Sequence, residues 1–433
     1  MSARRPRVRL IAIGYNIAGT GLTRVMHSVM RRLADRHEIH YLGIGYSGEV
    51  VRDRGLTIYP TNRTGGDVFA AFQAIRLIDE IRPDVIFVLH DLWLFEYYLR
   101  LFAPFRDRLR IAAYIPLDGR ITNEAHAAPL EHADRVITYT QFAQAELEGA
   151  FRRLAGRDAG RHFPAVDVVP HGVDADRFFP FRASIEAGFA VAGRAAAKRK
   201  VFPWAADDAG DSFVVLNASR PDTRKRVDLT VKGFAQFAAG KPANVRLCLH
   251  HAILDEPTAR DLQSLIRECG IAERVSLNPL GAGVAGDADL NLLYNACDVG
   301  LNTSMGEGWG LVSREHGAAG APQIVPAHTA CAELWRGRGE LIPPDRSYVP
   351  AFSVLEMGEV SPEGVARALE ALYRDPARRH ALSRAAVAFA RSPALSWDTI
   401  ARQFDDLFVA LGHAAGSRGQ AARRAARHLG WCV

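Results

Sequence analysis

Short apolar runs alternate with segments of helical length along nearly the whole chain, and this alternation limits the fold more than any other feature. Residues 8–13, 39–44, 84–89, 110–115, 135–140 and 166–169 read as strands, with a Gly/Asn loop and a helix over 22–36 following the first. Nearly continuous apolar strands are buried on both faces, and strands separated by helices pair in parallel. A turn-rich passage bounded by Pro170 and Pro180 interrupts the pattern. It then restarts with strands at 213–217, 245–250, 274–277, 299–302 and 323–325, and with helices beginning near Arg226, Thr258, Asp289 and Leu311. Three more helices are expected at 362–374, 376–391 and 396–411. The implied class is α/β: two Rossmann-like, doubly wound lobes facing a central cleft, since ligands collect at the carboxyl ends of parallel strands. We expect a first lobe over 1–175 and a second over 176–395. A helix over 396–412 returns to the first lobe, and a basic tail spans 413–433. A chain of 433 residues is long enough for two separate cores.

The net charge of +6 belongs to the two ends. Arg4, Arg5, Arg7 and Arg9 supply four positive charges and Arg418, Arg423, Arg424 and Arg427 four more, which leaves residues 10–412 at −2. A body of that sign lacks the basic face that nucleic acid requires, so no nucleic-acid partner is expected. Cys248, Cys269, Cys297, Cys331 and Cys432 are odd in number and contain no Cys-x-x-Cys, which fits a reducing compartment. The apolar run 10–13 is too short for a signal segment or a membrane span. A cytoplasmic protein is expected. The aromatic stretch 92–105 reads chiefly as a core-facing helix; its alternative is a lipid-facing surface that, with the tail, touches the inner face of a membrane.

The chemistry concentrates in Ser304-Met-Gly-Glu-Gly-Trp-Gly-Leu-Val-Ser-Arg-Glu-His316, where Gly306, Gly308 and Gly310 form a flexible loop leading into a helix at Leu311. A helix start offers unpaired N–H groups and the positive end of the dipole, which suit a phosphate. Glu307 in the loop and Glu315 about one turn into the helix add carboxylates, which accept hydrogen bonds from sugar hydroxyls. A ligand carrying both phosphate and sugar satisfies the pair. Arg220 and Lys225 follow the first strand of the second lobe, where cations could hold a diphosphate and stabilise it as it leaves. Arg224 and Arg226 read as solvated or structural.

Together these residues resemble the retaining nucleotide-sugar glycosyltransferases of family four, whose fold is called GT-B. Glu307-x7-Glu315 is similar to the paired-glutamate motif of that family, and Arg220-x4-Lys225 to its Arg/Lys pair. Pro170-His-Gly-Val-Asp174 resembles its interlobe turn, and Gly19-Thr-Gly-Leu-Thr-Arg24 its N-terminal glycine loop. The likeness spans roughly residues 8–410. It implies that Arg220 and Lys225 bind the donor diphosphate and that Gly308, Trp309, Gly310 and Leu311 support it. Glu315 would hold the ribose, Glu307 and His90 would approach the donor sugar, and Gly19 and Gly21 would complete the donor side. Two departures stand out: Lys225-Arg226 where the family often has Lys-Gly, and Gly-Thr-Gly where its loop often has Gly-Gly.

The expected partners are a nucleotide-sugar donor, UDP-linked first and GDP-linked second, and an unidentified acceptor, a lipid-linked one included. No metal or other cofactor is expected. Asp174-x-Asp176 and Asp287-x-Asp289 have the spacing of a metal motif, but Asp289 reads better as a helix N-cap. The glycine loop lacks the third glycine of a dinucleotide fingerprint, and no acid follows the next strand. His250 and His251 are expected to pack or to bond backbone. A nucleotide-sugar epimerase and an inactive sugar-nucleotide-binding subunit are the alternatives to a transferase.

Overall fold

The computed structural model describes residues 6–61, 66–181, 191–205, 209–251 and 255–428. Arg4, Arg5, Cys432 and the side chains of the tail arginines lie outside the described residues. The chain divides into two compact units: Met1–Leu117 with Ile121–Gly172 and Trp397–Val433, and Asp118–Arg120 with Val173–Ser396.

In the first unit the order along the chain is β1 (Arg9–Tyr15), α1 (Gly21–Leu33), β2 (Glu38–Ile44), β3 (Val51–Asp53), β4 (Leu56–Pro60), α2 (Ala71–Ile81) and β5 (Val85–Leu89). Then follow α3 (Phe95–Phe102), β6 (Arg110–Ile115), β7 (Arg135–Thr138), α4 (Gln141–Arg157) and β8 (Val166–Val168). Its eight-stranded sheet runs β3-β4-β2-β1-β5-β6-β7-β8. Every pairing is parallel except that of the edge strand β3 with β4. All residues of β5 and β6 are buried, as a sheet covered on both faces demands. One cover is α1, which buries Val25, Met26, Val29, Met30 and Leu33 along a single stripe.

The second unit contains α5 (Val191–Val201), β9 (Phe213–Asn217), α6 (Val227–Ala238), β10 (Val245–Leu249), α7 (Glu256–Glu268), β11 (Val275–Leu277) and α8 (Asp287–Ala296). It continues through β12 (Val299–Leu301), α9 (Leu311–Ala318), β13 (Gln323–Pro326), α10 (Thr329–Trp335) and β14 (Glu340–Ile342). The antiparallel hairpin β15 (Arg346–Tyr348) and β16 (Met357–Glu359) precedes α11 (Pro362–Arg374) and α12 (Pro376–Ala390). The six-stranded sheet, β11-β10-β9-β12-β13-β14, is parallel throughout. Its core joins Val215, Leu247, Leu249 and Val299 from the strands to Phe234, Phe237, Val365 and Leu369 from α6 and α11.

The last helix, α13 (Trp397–His428), belongs to the first unit and runs past the end expected at 411. Phe404 and Phe408 pack edge-on against Phe87, with ring centroids 5.5 and 5.4 Å apart. Fully buried Asp405 accepts from His37 Nε2 at 2.8 Å and pairs with Arg36 at 2.6 Å. One expectation changes. Asp289 is not an N-cap: α8 begins at Asp287 behind Gly286, which places Asp289 in the first turn, where its charge still suits the dipole. The aromatic stretch divides its faces, with Phe95, Tyr98, Leu99 and Phe102 buried and Trp93 and Tyr97 exposed. No helix among the described residues is long and apolar enough to cross a membrane.

Candidate functional site

In a doubly wound sheet the strand order reverses at one point, and the loops leaving it diverge to leave room for a ligand. In the second unit that point lies between β9 and β12. Lys225 follows β9 and Glu307 follows β12. Hydrogen bonds stitch the two loops together. Asn217 Nδ2 donates to Thr230 Oγ1 at 2.8 Å, and that hydroxyl meets Thr303 Oγ1 at 2.8 Å. Thr303 Oγ1 lies 3.1 and 2.8 Å from the carbonyl oxygens of Lys225 and Arg226, and the Met305 amide donates to the Arg224 carbonyl at 2.8 Å.

Glu307 is the centre of this assembly. Lys225 Nζ donates to its Oε1 at 2.5 Å and Asn302 Nδ2 to the same oxygen at 3.2 Å, while Arg224 Nη1 stands 3.5 Å from Oε2. Burial alone would raise the Glu307 carboxyl, but Lys225, Arg224 and the hydrogen bonds from Lys225 and Asn302 hold it at about 2. It is therefore a fixed anion at neutral pH. Lys225 is lowered in turn, by burial first and by the neighbouring Arg224 second. Arg224 also reaches Asp118 Oδ2 at 3.3 Å, and its Nη1 donates to the Gly306 carbonyl. The Asp118 carboxyl is raised, chiefly by burial, with Glu307 adding to the effect against Arg224. Gly306 passes so close to the Asp118 carbonyl that a Cβ there would overlap it, which explains the glycine.

Helix α9 opens on Gly310 in the left-handed region, at φ 81°, with no side chain capping its first turn. A helix start of this kind suits an anion. Trp309 is buried before it, and Gly308 and Leu311 are partly exposed. Glu315 is buried on the helix, where Tyr294 donates its hydroxyl to Oε2 at 3.2 Å.

The other expected residues fall elsewhere. Arg220 is half exposed and pairs with Asp222 at 3.0 Å, outside the cluster around Glu307. Gly19, Gly21 and His90 belong to the first unit, Gly19 in the loop after β1, Gly21 at the start of α1 and His90 after β5, and β1 and β5 flank that unit's own reversal point. There the Ile17 amide donates to Thr23 Oγ1 at 2.9 Å, and Thr20 Oγ1 donates to the Ile17 carbonyl at 2.9 Å. His90 is fully buried, and the Asp91 amide donates to its Nδ1 at 2.8 Å. Burial lowers its ring to about 4, so it is neutral, and the proton must sit on Nε2, which has no partner among the described residues.

Arg224, Asp118, Asn302 and Tyr294 are site residues that the sequence did not reveal; Arg224, expected to be solvated or structural, stands beside the glutamate. His251 Nδ1 lies 2.5 Å from the Ser219 carbonyl, but neither ring nitrogen of buried His250 meets a partner among the described residues. Asp174 and Asp287 both pair with Arg177, at 2.9 and 2.5 Å.

Residues 183–404 match the family model described as Family 4 Glycosyltransferase in conflict systems. A D-inositol 3-phosphate glycosyltransferase from Xylanimonas cellulosilytica is 30% identical over 226 residues, 51% of this chain and 48% of that protein. The chain thus spans about half the length of that relative. Among solved structures, sucrose-phosphate synthase from Thermosynechococcus elongatus superposes with a TM-score of 0.71 at 17% identity, over 94% of this chain and 100% of that one. Anabaena HepE in complex with UDP-glucose gives 0.66 at 15% identity, over 93% and 100%. At such identities the likeness speaks for the fold, which is GT-B as the motifs led us to expect. With the match covering just over half of the chain, and with the paired glutamates at the reversal point of its second sheet, the protein belongs to the family-four glycosyltransferases of conflict systems.

Proposed function

We propose that the chain moves a sugar from a nucleoside diphosphate donor to an acceptor hydroxyl with retention of anomeric configuration. The observation that supports this most is the Glu307 carboxylate, held ionised between Lys225, Arg224 and Asn302 beside the uncapped start of α9. An anion of that kind beside an anion-binding helix start fits a donor with a diphosphate at one end and a hydroxyl-rich, oxocarbenium-like sugar at the other. The bond from the anomeric carbon to the diphosphate breaks, the acceptor oxygen takes its place on the same face while its proton passes to the departing diphosphate oxygen, and the remaining leaving charge falls on Lys225 and the α9 amides. Arg220, half exposed and paired with Asp222, turns to the diphosphate once it is bound. Glu315 holds the ribose, Glu307 the donor sugar, and His90 offers its Nε2 proton to a sugar oxygen. A UDP-sugar is the first choice, in keeping with the UDP-glucose held by HepE; a GDP-sugar is the second. The reading calls for no cofactor. The names of the relatives, which specify inositol 3-phosphate or sucrose phosphate, favour a small polyhydroxylated acceptor over a macromolecule.

Thermal unfolding with UDP, GDP or ADP tests the donor class. At a hundred times the dissociation constant a ligand adds about 2.7 kcal/mol, enough to raise the midpoint by several degrees. A rise with one nucleotide names the donor, and no rise with any of them overturns the reading. Glu315→Ala should abolish the rise. Glu307→Ala should keep it while donor hydrolysis collapses, and equal loss in both variants would refute their separate roles. Lys225→Ala should slow donor cleavage by roughly 10²–10³-fold, the effect of removing one electrostatic donor from a developing anion.

A further inference from the structure

The loop after β13, the neighbour of β12 in the second sheet, has no part in the donor chemistry, yet it grips Glu307 by its main chain. Thr329 Oγ1 accepts from the Glu307 amide at 3.3 Å, and the Ala330 amide donates to the Glu307 carbonyl at 3.3 Å. The peptide groups on both sides of Glu307 are thus tied to one loop, while its carboxylate is held by Lys225, Arg224 and Asn302. Thr329 is buried and opens α10 with a left-handed backbone at φ 50°. It is the only β-branched residue with a positive φ among the described residues. A Cβ crowds the backbone in that region and a branched one crowds it more, so the conformation persists only where the surroundings impose it. Glycine would sit there without strain but would bring no hydroxyl. His328 completes the arrangement. Its Nδ1 lies 3.3 Å from Thr329 Oγ1, and burial lowers its ring to about 4, which keeps it neutral. A hydroxyl has one proton and two lone pairs, so it can meet His328 with either and still accept from Glu307.

We propose that Thr329 is a positioning residue: its hydroxyl anchors the Glu307 peptide so that the carboxylate meets the donor sugar, and the strained backbone places the hydroxyl there. The proposal rests on the transferase reading and adds to it a residue that touches neither donor nor acceptor. The cations fix where the Glu307 side chain ends, whereas Thr329 fixes where it starts. That anchor matters most once the donor is bound, because Lys225 then shares its charge with the diphosphate and grips the carboxylate less. Among the described residues the hydrogen bonds of the Thr329 hydroxyl go to Glu307 and His328, not to the residues assigned to the nucleotide. Its loss therefore belongs in turnover and not in nucleotide affinity.

Substitutions in the full chain separate the hydroxyl from the strain. Thr329→Ser keeps the hydroxyl, Thr329→Val keeps the shape without it, and Thr329→Gly removes hydroxyl and strain together. Nucleotide release from UDP-glucose and GDP-mannose gives turnover, and hydrogen exchange of the Glu307 amide, read by mass spectrometry, reports the bond itself. In Thr329→Val and Thr329→Gly kcat should fall about three- to tenfold, the scale of one neutral hydrogen bond. KM and the nucleotide-dependent midpoint rise should be kept, and Thr329→Ser should stay near the wild-type rate. Exchange at Glu307 should quicken in the two variants that lack the hydroxyl. Thr329→Gly should unfold at a higher temperature than Thr329→Val yet turn over as slowly, a separation of rate from stability that a merely structural role would not produce. Wild-type turnover in Thr329→Val, a Thr329→Ser as slow as Thr329→Val, or turnover that follows the midpoint through the series would overturn the role. Unchanged Glu307 exchange in Thr329→Val removes the anchor alone. A wild-type chain that releases no nucleotide and gains no midpoint rise removes the transferase reading, and this role with it.

Discussion

Arg224 holds two carboxylates that come from distant parts of the chain, and it shows why a charge run is hard to interpret from sequence. In Thr223-Arg224-Lys225-Arg226 the three cations are indistinguishable by pattern. Lys225 belongs to the Arg/Lys motif and stands beside Glu307; Arg224 has no motif, and its partner Asp118 lies in a loop without any signature. Only the tertiary structure brings them together. On the proposed reading Lys225 also serves the diphosphate, and Arg224 is then the cation that stays with Glu307 throughout, a positioning residue. Arg224→Ala should leave the nucleotide-dependent midpoint rise intact while donor cleavage falls roughly 10–100-fold, the loss of a charged hydrogen bond worth about 1.5–3 kcal/mol. Arg224→Lys should recover part of the rate, since it keeps the charge but not the fork that spans two acids. A variant that loses nucleotide binding instead would place Arg224 on the donor phosphates.

The junction that leads from β9 into α6 explains one departure from the family pattern. Arg226 occupies the left-handed region at φ 47° and ψ 48°, a place where glycine is free of strain. What keeps an arginine there is its side chain, which bonds both oxygens of Asp228 at 2.9 Å and pairs with Glu359 on β16. Arg226→Ala keeps the backbone strain and loses the ion pairs; Arg226→Gly loses the pairs but relieves the strain. The glycine variant should therefore unfold at a higher temperature than the alanine variant, by about 1 kcal/mol, and the reverse order would show that the strain is absent. Elements of this kind mark the limit of sequence reading. Buried strands such as β6 and β9 announce themselves as apolar runs and were read with their observed ends. The exposed strand β3 and the hairpin β15–β16 have no apolar run and exist only through their pairing. Helix α9 and its glycine loop were legible because glycines and paired acids at fixed spacing have few other uses.

Across the whole molecule, both units bury histidines that resist protonation while folded. Burial lowers His90 and His251 to about 4 and His171 and His316 to about 3, against 6.5 in an unfolded chain. Below pH 6.5 the unfolded state binds protons that the folded state refuses, so stability falls with pH, by up to about 1.4 kcal/mol per pH unit for each histidine. Glu307 acts in a lower window: its depressed carboxyl stabilises the fold above the ordinary carboxylate range and loses that contribution as pH drops from about 4.5 toward 2. The unfolding midpoint should be level above pH 7, decline from 6.5 through 4, and fall again below that. A midpoint at pH 5 equal to or above that at pH 7.5 would contradict this. The return of α13 to the first unit has a consequence for synthesis. Phe87 and Tyr114 are covered by Phe404, and His37 by Asp405, residues translated only after all of the second unit. Domains usually mature in the order in which they leave the ribosome. Here the first to be made must wait, its apolar sheet face open, until the second has emerged, and a nascent chain halted near residue 396 should need a holding chaperone where the finished protein needs none.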